Sequence, residues 1–163
     1  VIVGSREGIA KVRERNYSGG GQVQGDEAMA LLRSLVIAPV TIAVQNEQTD
    51  RLNELLNRGV IPEISNSYIT NSQSKNVIAE LKEPIAPAVI AACEQYGAAV
   101  YPVGAESRYE VLPMVYRLSG SFLESRPELA KFGLRINPMR SSADLVVNIL
   151  QKALASLKER GEA

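Results

Sequence analysis

Short apolar runs recur along the chain, each after a helix-like ending and a glycine. The segments "LLNRGVIPEI", "CEQYGAAVYPV" and "LAKFGLRINPM" share this order, with Gly59, Gly97 and Gly133 as their glycines. Glycine fits the left-handed position that ends many helices, and a short apolar run after it is typical of a buried strand. Three such units predict a fold in which helices and strands alternate.

The same pattern assigns elements along the rest of the chain. Predicted helices cover residues 9–15, 26–35, 47–58, 74–81, 87–96, 106–118 and 127–132. Predicted strands cover residues 1–3, 39–44, 60–64, 98–103 and 134–137. The polar stretch "SNSYITNSQS" predicts an exposed loop.

The most regular pattern lies at the C-terminal end. Ser141 and Asp144 have the spacing of a helix-capping pair. An apolar stripe follows at helical spacing, through Leu145, Ile149 and Ala153. These residues predict an amphipathic helix that packs on the core.

Together these elements predict an α/β fold in a single domain. We expect roughly four to five short strands that alternate with helices in a mostly parallel open sheet. The C-terminal amphipathic helix packs on this core. The predicted domain covers residues 26–163, and residues 1–25 form an N-terminal segment with a glycine-rich connector.

The connector contains three consecutive glycines, Gly19–Gly21. Gly20 and Gly25 have the spacing of a phosphate-binding P-loop, but that motif continues with Lys and then Ser or Thr. Asp26 and Glu27 follow here, and their carboxylates would repel a triphosphate. The pattern therefore favours a flexible connector before a helix that begins with acidic residues.

Composition excludes several classes of function. Lys plus Arg and Asp plus Glu number 18 each, so the excess positive charge of a general nucleic-acid binder is absent. The sequence contains no histidine, which removes the usual general base and every histidine-containing metal site. We expect no metal site, the sequence indicates no particular cofactor, and catalysis becomes less favoured.

Cellular location is predicted from two further observations. No run approaches the ~18 consecutive apolar residues of a membrane span. Cys93 is the single cysteine, which fits a reducing compartment such as the cytoplasm. The chain starts at Val1 rather than at a methionine, which is compatible with a processed form or a fragment.

Two segments place arginine and serine where a helix is predicted to begin. They are "VGAESRY", with Ser107 and Arg108, and "NPMRSSAD", with Arg140, Ser141 and Ser142. The free N–H groups of a helix start, a hydroxyl and a guanidinium could together bind an anion. Serine at such positions is also the commonest helix cap, so a purely structural role is the alternative. Asn66 joins the candidates because it follows a predicted strand, where ligands of open α/β sheets gather.

Two functions fit these observations. The first is a soluble α/β domain that binds an anionic small molecule or a nucleotide through these residues, without catalysis. The second is an assembly module that self-associates or docks a protein partner, since "EPIAPAVIAA" is apolar and rich in small residues. A homo-oligomer is compatible with both hypotheses.

Overall fold

The structure is a computed structural model that describes residues 3–19, 23–70, 76–100 and 111–161. In these ranges helices α1 to α6 and strands β1 to β4 form most of the chain. The helices are α1 (Arg6–Gly19), α2 (Gly25–Asn57), α3 (Ala86–Gln95), α4 (Ser121–Ser125), α5 (Leu129–Phe132) and α6 (Ala143–Glu159). The strands are β1 (Ile64–Ile69), β2 (Val77–Leu81), β3 (Met114–Tyr116) and β4 (Gly133–Asn137).

The strands form an antiparallel sheet in the order β1-β2-β4-β3. Among the described residues the three strand pairs are antiparallel, and a parallel bridge joins Ala99 to Met114. The predicted mostly parallel open α/β sheet is therefore wrong. The prediction assumed that strands separated by helices run in the same direction, but β1 and β2 are both strands where a loop and a helix were predicted.

In the misassigned elements, the surrounding structure overrides the preference of a short local pattern. The predicted strand 39–44 lies inside α2, where strong helix formers on both sides extend the helix through Pro39. The predicted helix 74–81 contains β2, which is paired on both sides by β1 and β4. Residues 111–118 of the predicted helix 106–118 include β3, while residues 101–110 lie outside the described ranges.

Other predictions are confirmed. Helices α3 and α5, strand β4 and helix α6 lie where the pattern placed them, within one or two residues. Gly59 and Gly97 have the predicted positive φ angles, 79° and 93°. Gly133 differs, because its φ of −101° is ordinary extended backbone. Most of the glycine-rich connector, residues 20–22, lies outside the described ranges.

The chain divides into two compact units, Val1–Thr41 and Ile42–Ala163. The predicted domain boundary at residue 25 falls inside the first unit. Helix α2 begins in the first unit, where the Glu27 carboxylate accepts a hydrogen bond from the Gln24 N–H at 2.9 Å. By length and composition alone, α2 is a candidate for crossing a membrane. It lacks an uninterrupted apolar run because Arg33 lies within it.

The second unit is organised around a sheet that is covered on both faces. On one face, Val77 and Ala79 of β2 and Ile136 of β4 join a core with α3, α6 and the C-terminal part of α2. Leu150 of α6 and Leu52 of α2 are fully buried in this core. We call this side of the sheet the helical face.

The opposite face carries the other side chains of the same strands. Ile78 packs there with Leu118 and Leu129, so α5 and the segment before α4 cover part of this face. Glu80 accepts two hydrogen bonds from Arg126, at 2.6 and 3.1 Å, and Arg126 also binds Glu128. Charged pairing therefore fixes the α4–α5 segment at the end of the sheet near Gly133.

The edge strand β1 is protected by a side chain of α2. The Asn57 amide donates to the Ser67 carbonyl at 3.0 Å and accepts from the Ser67 N–H at 3.2 Å. Asn57 thereby satisfies the backbone groups that an additional strand would use. Such protection discourages edge-to-edge association of sheets.

The structure predicts that even alanine at position 133 destabilises the fold. A Cβ at this position would lie 2.6 Å from Leu118 Cδ1 and 2.8 Å from the Leu129 carbonyl oxygen. We expect Gly133→Ala to destabilise the second unit by about 1–3 kcal/mol through overpacking, measured by urea unfolding. Gly25→Ala is the matched control, because no atom lies within 4 Å of its Cβ. Equal stability of Gly133→Ala and the parent would contradict this packing.

Candidate functional site

Four polar or aromatic side chains gather on the opposite face of the sheet, at the end away from Gly133. Arg135 and Asn137 alternate on β4, so both point to the face that Leu134 and Ile136 do not use. Tyr116 pairs with Arg135 across the β3–β4 ladder. Asn76, one residue before β2, completes the group, which we call the polar corner.

Asn137 is the most constrained member of the polar corner. It is fully buried, and its Oδ1 accepts a hydrogen bond from the Met139 N–H at 2.9 Å. That bond fixes the orientation of the amide, so Nδ2 points away from Met139. Within the described ranges, Nδ2 is buried and has no hydrogen-bond partner. A buried donor without an acceptor is costly, which marks this position as a candidate contact for a ligand.

Arg135 supplies a positive charge beside this amide. Its guanidinium lies 5.3 Å from the centre of the Tyr116 ring, within the range of a cation–π contact. The Tyr116 hydroxyl lies 3.5 Å from Asn76 Oδ1, and both residues are buried. The aromatic contact thus lies beside a partly buried guanidinium, a group whose charge and planarity suit a planar anion.

The loop between β4 and α6 contains three of the predicted site residues. Arg140 is exposed, and it follows Met139, whose φ of 55° is unusual for a residue other than glycine. Ser141 Oγ donates to the Val111 carbonyl at 2.6 Å. Ser142 is the N-cap of α6, and its Oγ accepts from the Leu145 N–H at 3.2 Å.

The N–H groups at the start of α6 are already used within the chain. Ala143 N–H donates to Gln48 Oε1 of α2 at 2.9 Å, and the Val146 N–H donates to the Ser142 carbonyl. Arg51 of α2 also binds the Asp144 carboxylate through two contacts, at 3.1 and 3.2 Å. In this arrangement few backbone donors remain there for an anion.

The remaining predicted site residues lie elsewhere. Asn66 is exposed on β1, where it pairs with Glu80. Glu80 pairs in turn with Gly133, at the end of β4 farthest from Arg140. The sheet therefore does not bring Asn66 together with Arg140. Ser107 and Arg108 lie outside the described ranges.

The Glu80–Arg126 contact at that far end has a structural role. Hydrogen bonds from Arg126 hold the pKa of Glu128 below its ordinary value. Burial and the nearby Glu80 carboxylate raise the pKa of Tyr68. The charges of Glu80, Arg126 and Glu128 pair with one another. The buried Asn137 Nδ2, in contrast, has no hydrogen-bond partner within the described ranges.

Sequence reasoning missed the polar corner although a signal was present. The strand "GLRIN" alternates apolar Leu134 and Ile136 with polar Arg135 and Asn137. Such alternation indicates a strand whose second face is not an apolar core. The arginine and serines at a predicted helix start indicated instead Arg140, Ser141 and Ser142. Among the described residues, no three metal-ligating side chains converge on a possible metal position.

Comparison with known proteins identifies the family to which this chain belongs. The sequence profile of the YhfS-like, C-terminal domain family matches residues 50–150. This match covers more than half of the chain, and the chain belongs to that family.

A particular relative extends this result. The chain is 46% identical over 156 residues to the uncharacterized protein YhfS of Escherichia coli strain K12. The match covers 96% of the chain but 43% of that relative, so the chain spans less than half of its length. A crystal structure of YhfS from Escherichia coli, described as a pyridoxal-5'-phosphate-dependent protein, matches with a TM-score of 0.84. That match covers 94% of this chain and 43% of the solved one, at 46% identity.

Ser142 gives a test of the structural role at the start of α6. We expect Ser142→Ala to lower the free energy of unfolding by about 1 kcal/mol, because the Leu145 N–H loses its acceptor. Ser142→Asp restores an acceptor and is expected to retain most of the stability. Thermal unfolding of the three proteins measures the difference. Full stability of Ser142→Ala would show that the cap contributes nothing.

Cys93 gives a test of burial in the helical-face core. Burial raises the pKa of its thiol from 9.0 to about 12. The thiol should therefore stay unreactive toward an aromatic disulfide reagent at pH 8 and react only on unfolding. Its contribution to stability should be complete below about pH 9 and be lost as the pH rises toward about 12. Rapid stoichiometric reaction of the folded chain at pH 8 would contradict the buried position.

Proposed function

We propose that this chain is the C-terminal part of a pyridoxal-phosphate-dependent protein, in which the polar corner binds a carboxylate group of the substrate. The observation that carries the proposal is the buried Asn137 amide nitrogen, which lacks an acceptor within the described ranges and lies two strand positions from Arg135, on the same face of β4. The pyridoxal-5'-phosphate dependence of the 46% identical YhfS supports the class of protein. The proposal narrows the predicted anionic ligand to a planar carboxylate.

The lysines in the described ranges do not fit the covalent attachment of pyridoxal phosphate. That cofactor is held by a lysine, in a site that also pairs its ring nitrogen. Each of these lysines is exposed, and two of them form ion pairs, Lys11 with Glu7 and Lys158 with Glu63. Lys75 lies outside the described ranges. The role proposed for the described residues is therefore to bind and orient rather than to anchor the cofactor.

The chemistry of the polar corner favours a carboxylate over a bulky polyanion. The guanidinium lies against the Tyr116 ring and supplies the positive charge of the group. The Asn137 Nδ2 adds a buried donor from the same face of β4. One positive charge beside a buried amide donor matches the single charge and the oxygen atoms of a carboxylate.

Arg140, Ser141 and Ser142 remain the competing position for an anion. Arg140 lies outside the sheet and is exposed, whereas Arg135 is partly buried. The two serine hydroxyls already bind the Val111 carbonyl and the Leu145 N–H. These contacts favour the polar corner. Ser107 and Arg108 remain candidate anion ligands on the evidence of the sequence alone. The proposed cellular location is the cytoplasm.

The test compares ligand binding by variants of Arg135 and Arg140, made in the longest natural polypeptide that contains these residues. Calorimetric titration with amino acids and dicarboxylates should identify a ligand of the parent protein. We expect Arg135→Ala to weaken its binding about 10- to 100-fold, or about 1.4–2.7 kcal/mol, because a charge-assisted contact is lost. Arg135→Lys keeps the charge without the fork and should give an intermediate loss.

Arg140→Ala is the matched control and should change binding less than about twofold, since an exposed charge contributes little. Circular dichroism confirms that each variant is folded. Loss of binding in Arg140→Ala with normal binding in Arg135→Ala would move the site to the start of α6. Normal binding in both variants would refute both positions.

A further inference from the structure

The Tyr116 side chain reaches across the strand that carries the candidate site. Tyr116 lies on β3 and Asn76 lies directly before β2, and β4 runs between these two strands. The Tyr116 hydroxyl nevertheless donates to Asn76 Oδ1 at 3.5 Å. Because neighbouring strands lie about 4.8 Å apart, this contact spans roughly 10 Å of the sheet. The aromatic side chain therefore passes over β4.

The strand register fixes where the ring crosses β4. Tyr116 pairs with Arg135 on one side of the crossing. The β2–β4 register, continued by one residue, places Asn76 level with Asn137. A side chain that runs from Tyr116 toward Asn76 thus crosses β4 between Arg135 and Asn137, on the face that both of their side chains use. The distance of 5.3 Å from the guanidinium carbon to the ring centre agrees with this path.

A ligand of the polar corner would need the same space as the ring. A carboxylate that accepts from Asn137 Nδ2 and faces the Arg135 guanidinium must lie above β4 between these two residues. The Tyr116 ring passes through that space. Asn137 accordingly has no exposed surface, and Tyr116 is only 3% exposed. The polar corner is therefore closed by the tyrosine, and the ring must move before a carboxylate can bind.

The contact that holds the ring in this position is weak. Hydrogen bonds between two oxygen atoms are commonly about 2.7–2.8 Å long, whereas the Tyr116 hydroxyl lies 3.5 Å from Asn76 Oδ1. A charge-assisted contact between a carboxylate and a guanidinium is roughly twice as strong as a neutral hydrogen bond. A carboxylate at Arg135 can therefore replace the contact that it breaks.

The side chains that surround the ring can adapt when it moves. Tyr116 packs with Met114 and Met139 in one buried cluster. Methionine is unbranched, and rotation about its three side-chain bonds lets it fill irregular gaps. The two methionines can therefore occupy part of the volume that the ring vacates, which lowers the cost of opening the corner.

We infer that Tyr116 is a gate that closes the polar corner, and that Asn76 is the positioning residue that holds this gate over β4 until a carboxylate enters. The nature of the ligand rests on the proposed function, whereas closure of the corner by the ring does not. The alternative is a purely structural role, in which the Tyr116–Asn76 contact only stabilises the sheet.

Alkylation of a thiol at position 137 tests the gate without a ligand, in the longest natural polypeptide that contains these residues. Asn137→Cys places the thiol beneath the ring, and iodoacetamide, which is neutral, reports how often the thiol becomes accessible. Cys93 is buried on the helical face and serves as the internal control for general loosening of the fold. Mass spectrometry of peptides measures the two alkylation rates separately.

We expect Tyr116→Phe and Asn76→Ala, each combined with Asn137→Cys, to raise the alkylation rate at position 137 about 2- to 10-fold, because each removes the hydrogen bond of the closed gate. The Cys93 rate should not change. Tyr68→Phe is the matched control, since its hydroxyl interacts with Glu80 at the other end of this face. It should leave the rate at position 137 unchanged.

Two results of the alkylation experiment would overturn the inference. An unchanged rate at position 137 in Tyr116→Phe and Asn76→Ala would show that the contact does not restrict access. An equal rise at position 137 and at Cys93 would show that the substitutions loosen the whole unit, as a structural role predicts.

Hydrogen exchange of the Asn137 side-chain amide is a second measurement, and it keeps this residue in place. The polypeptide is labelled with ¹⁵N-asparagine and followed by NMR spectroscopy. Tyr116→Phe should speed the exchange of the Nδ2 protons about 2- to 10-fold, because the amide is buried only while the gate is closed. Equal exchange in Tyr116→Phe and the parent would overturn the inference even if Asn137→Cys failed to fold.

Binding of acetate, a small carboxylate, connects the gate to the proposed function. A closed form lowers apparent affinity by the fraction of molecules that are open. Tyr116→Phe should therefore bind acetate about 2- to 10-fold more tightly than the parent, whereas unchanged or weaker binding would overturn the gate. If acetate binds neither protein, the carboxylate proposal fails, and the alkylation and exchange rates alone decide whether the ring closes the corner.

Discussion

Burial of the two central strands on both faces is the constraint on which the second unit depends. β2 and β4 carry Val77, Ala79 and Ile136 on one side and Ile78 on the other, so each side needs its own cover. α3, α6 and the end of α2 cover the helical face, and the α4–α5 segment covers the Gly133 end of the opposite face. At the other end of the opposite face lies the polar corner, where Arg135 and Asn137 stand beside the buried Met114 and Tyr116. The candidate site is thus a polar group set into a buried part of the sheet.

The sequence predicted the elements whose signals are local. α6 combines a serine cap, an apolar stripe and a final glycine, and α3 begins at proline-rich "PIAP". Prediction from the sequence failed for elements whose structure depends on residues outside the local pattern. "VIAEL" is helix-like in composition but becomes β2 because β1 and β4 pair with it on both sides. "PVTIAV" is strand-like in composition but continues a helix that is favoured on both sides of it. The wrong prediction of a mostly parallel sheet followed from these two errors.

The predicted site residues and the polar corner differ for another reason. Arginine and serine at a helix start were correctly recognised as chemically suited to an anion, but the same serines are also helix caps. Only the structure reveals that Ser142 accepts from Leu145 N–H and that Gln48 accepts from Ala143 N–H. The alternation in "GLRIN" was visible in the sequence. The sequence does not reveal the strand register, however, which places Tyr116 beside Arg135 and buries the Asn137 amide.

The hydrogen bond from Ala143 to Gln48 links residues that are 95 positions apart in the chain. Arg51 and Asp144 repeat the link one helical turn further along α2. The first turn of α6 therefore combines a local cap from Ser142 with bonds to a neighbour that is remote in sequence. Non-local contacts of this kind form late, because a long loop must close before they are rewarded. During folding, α6 and its Ser142 cap should form before Gln48 and Arg51 of α2 bind to its first turn.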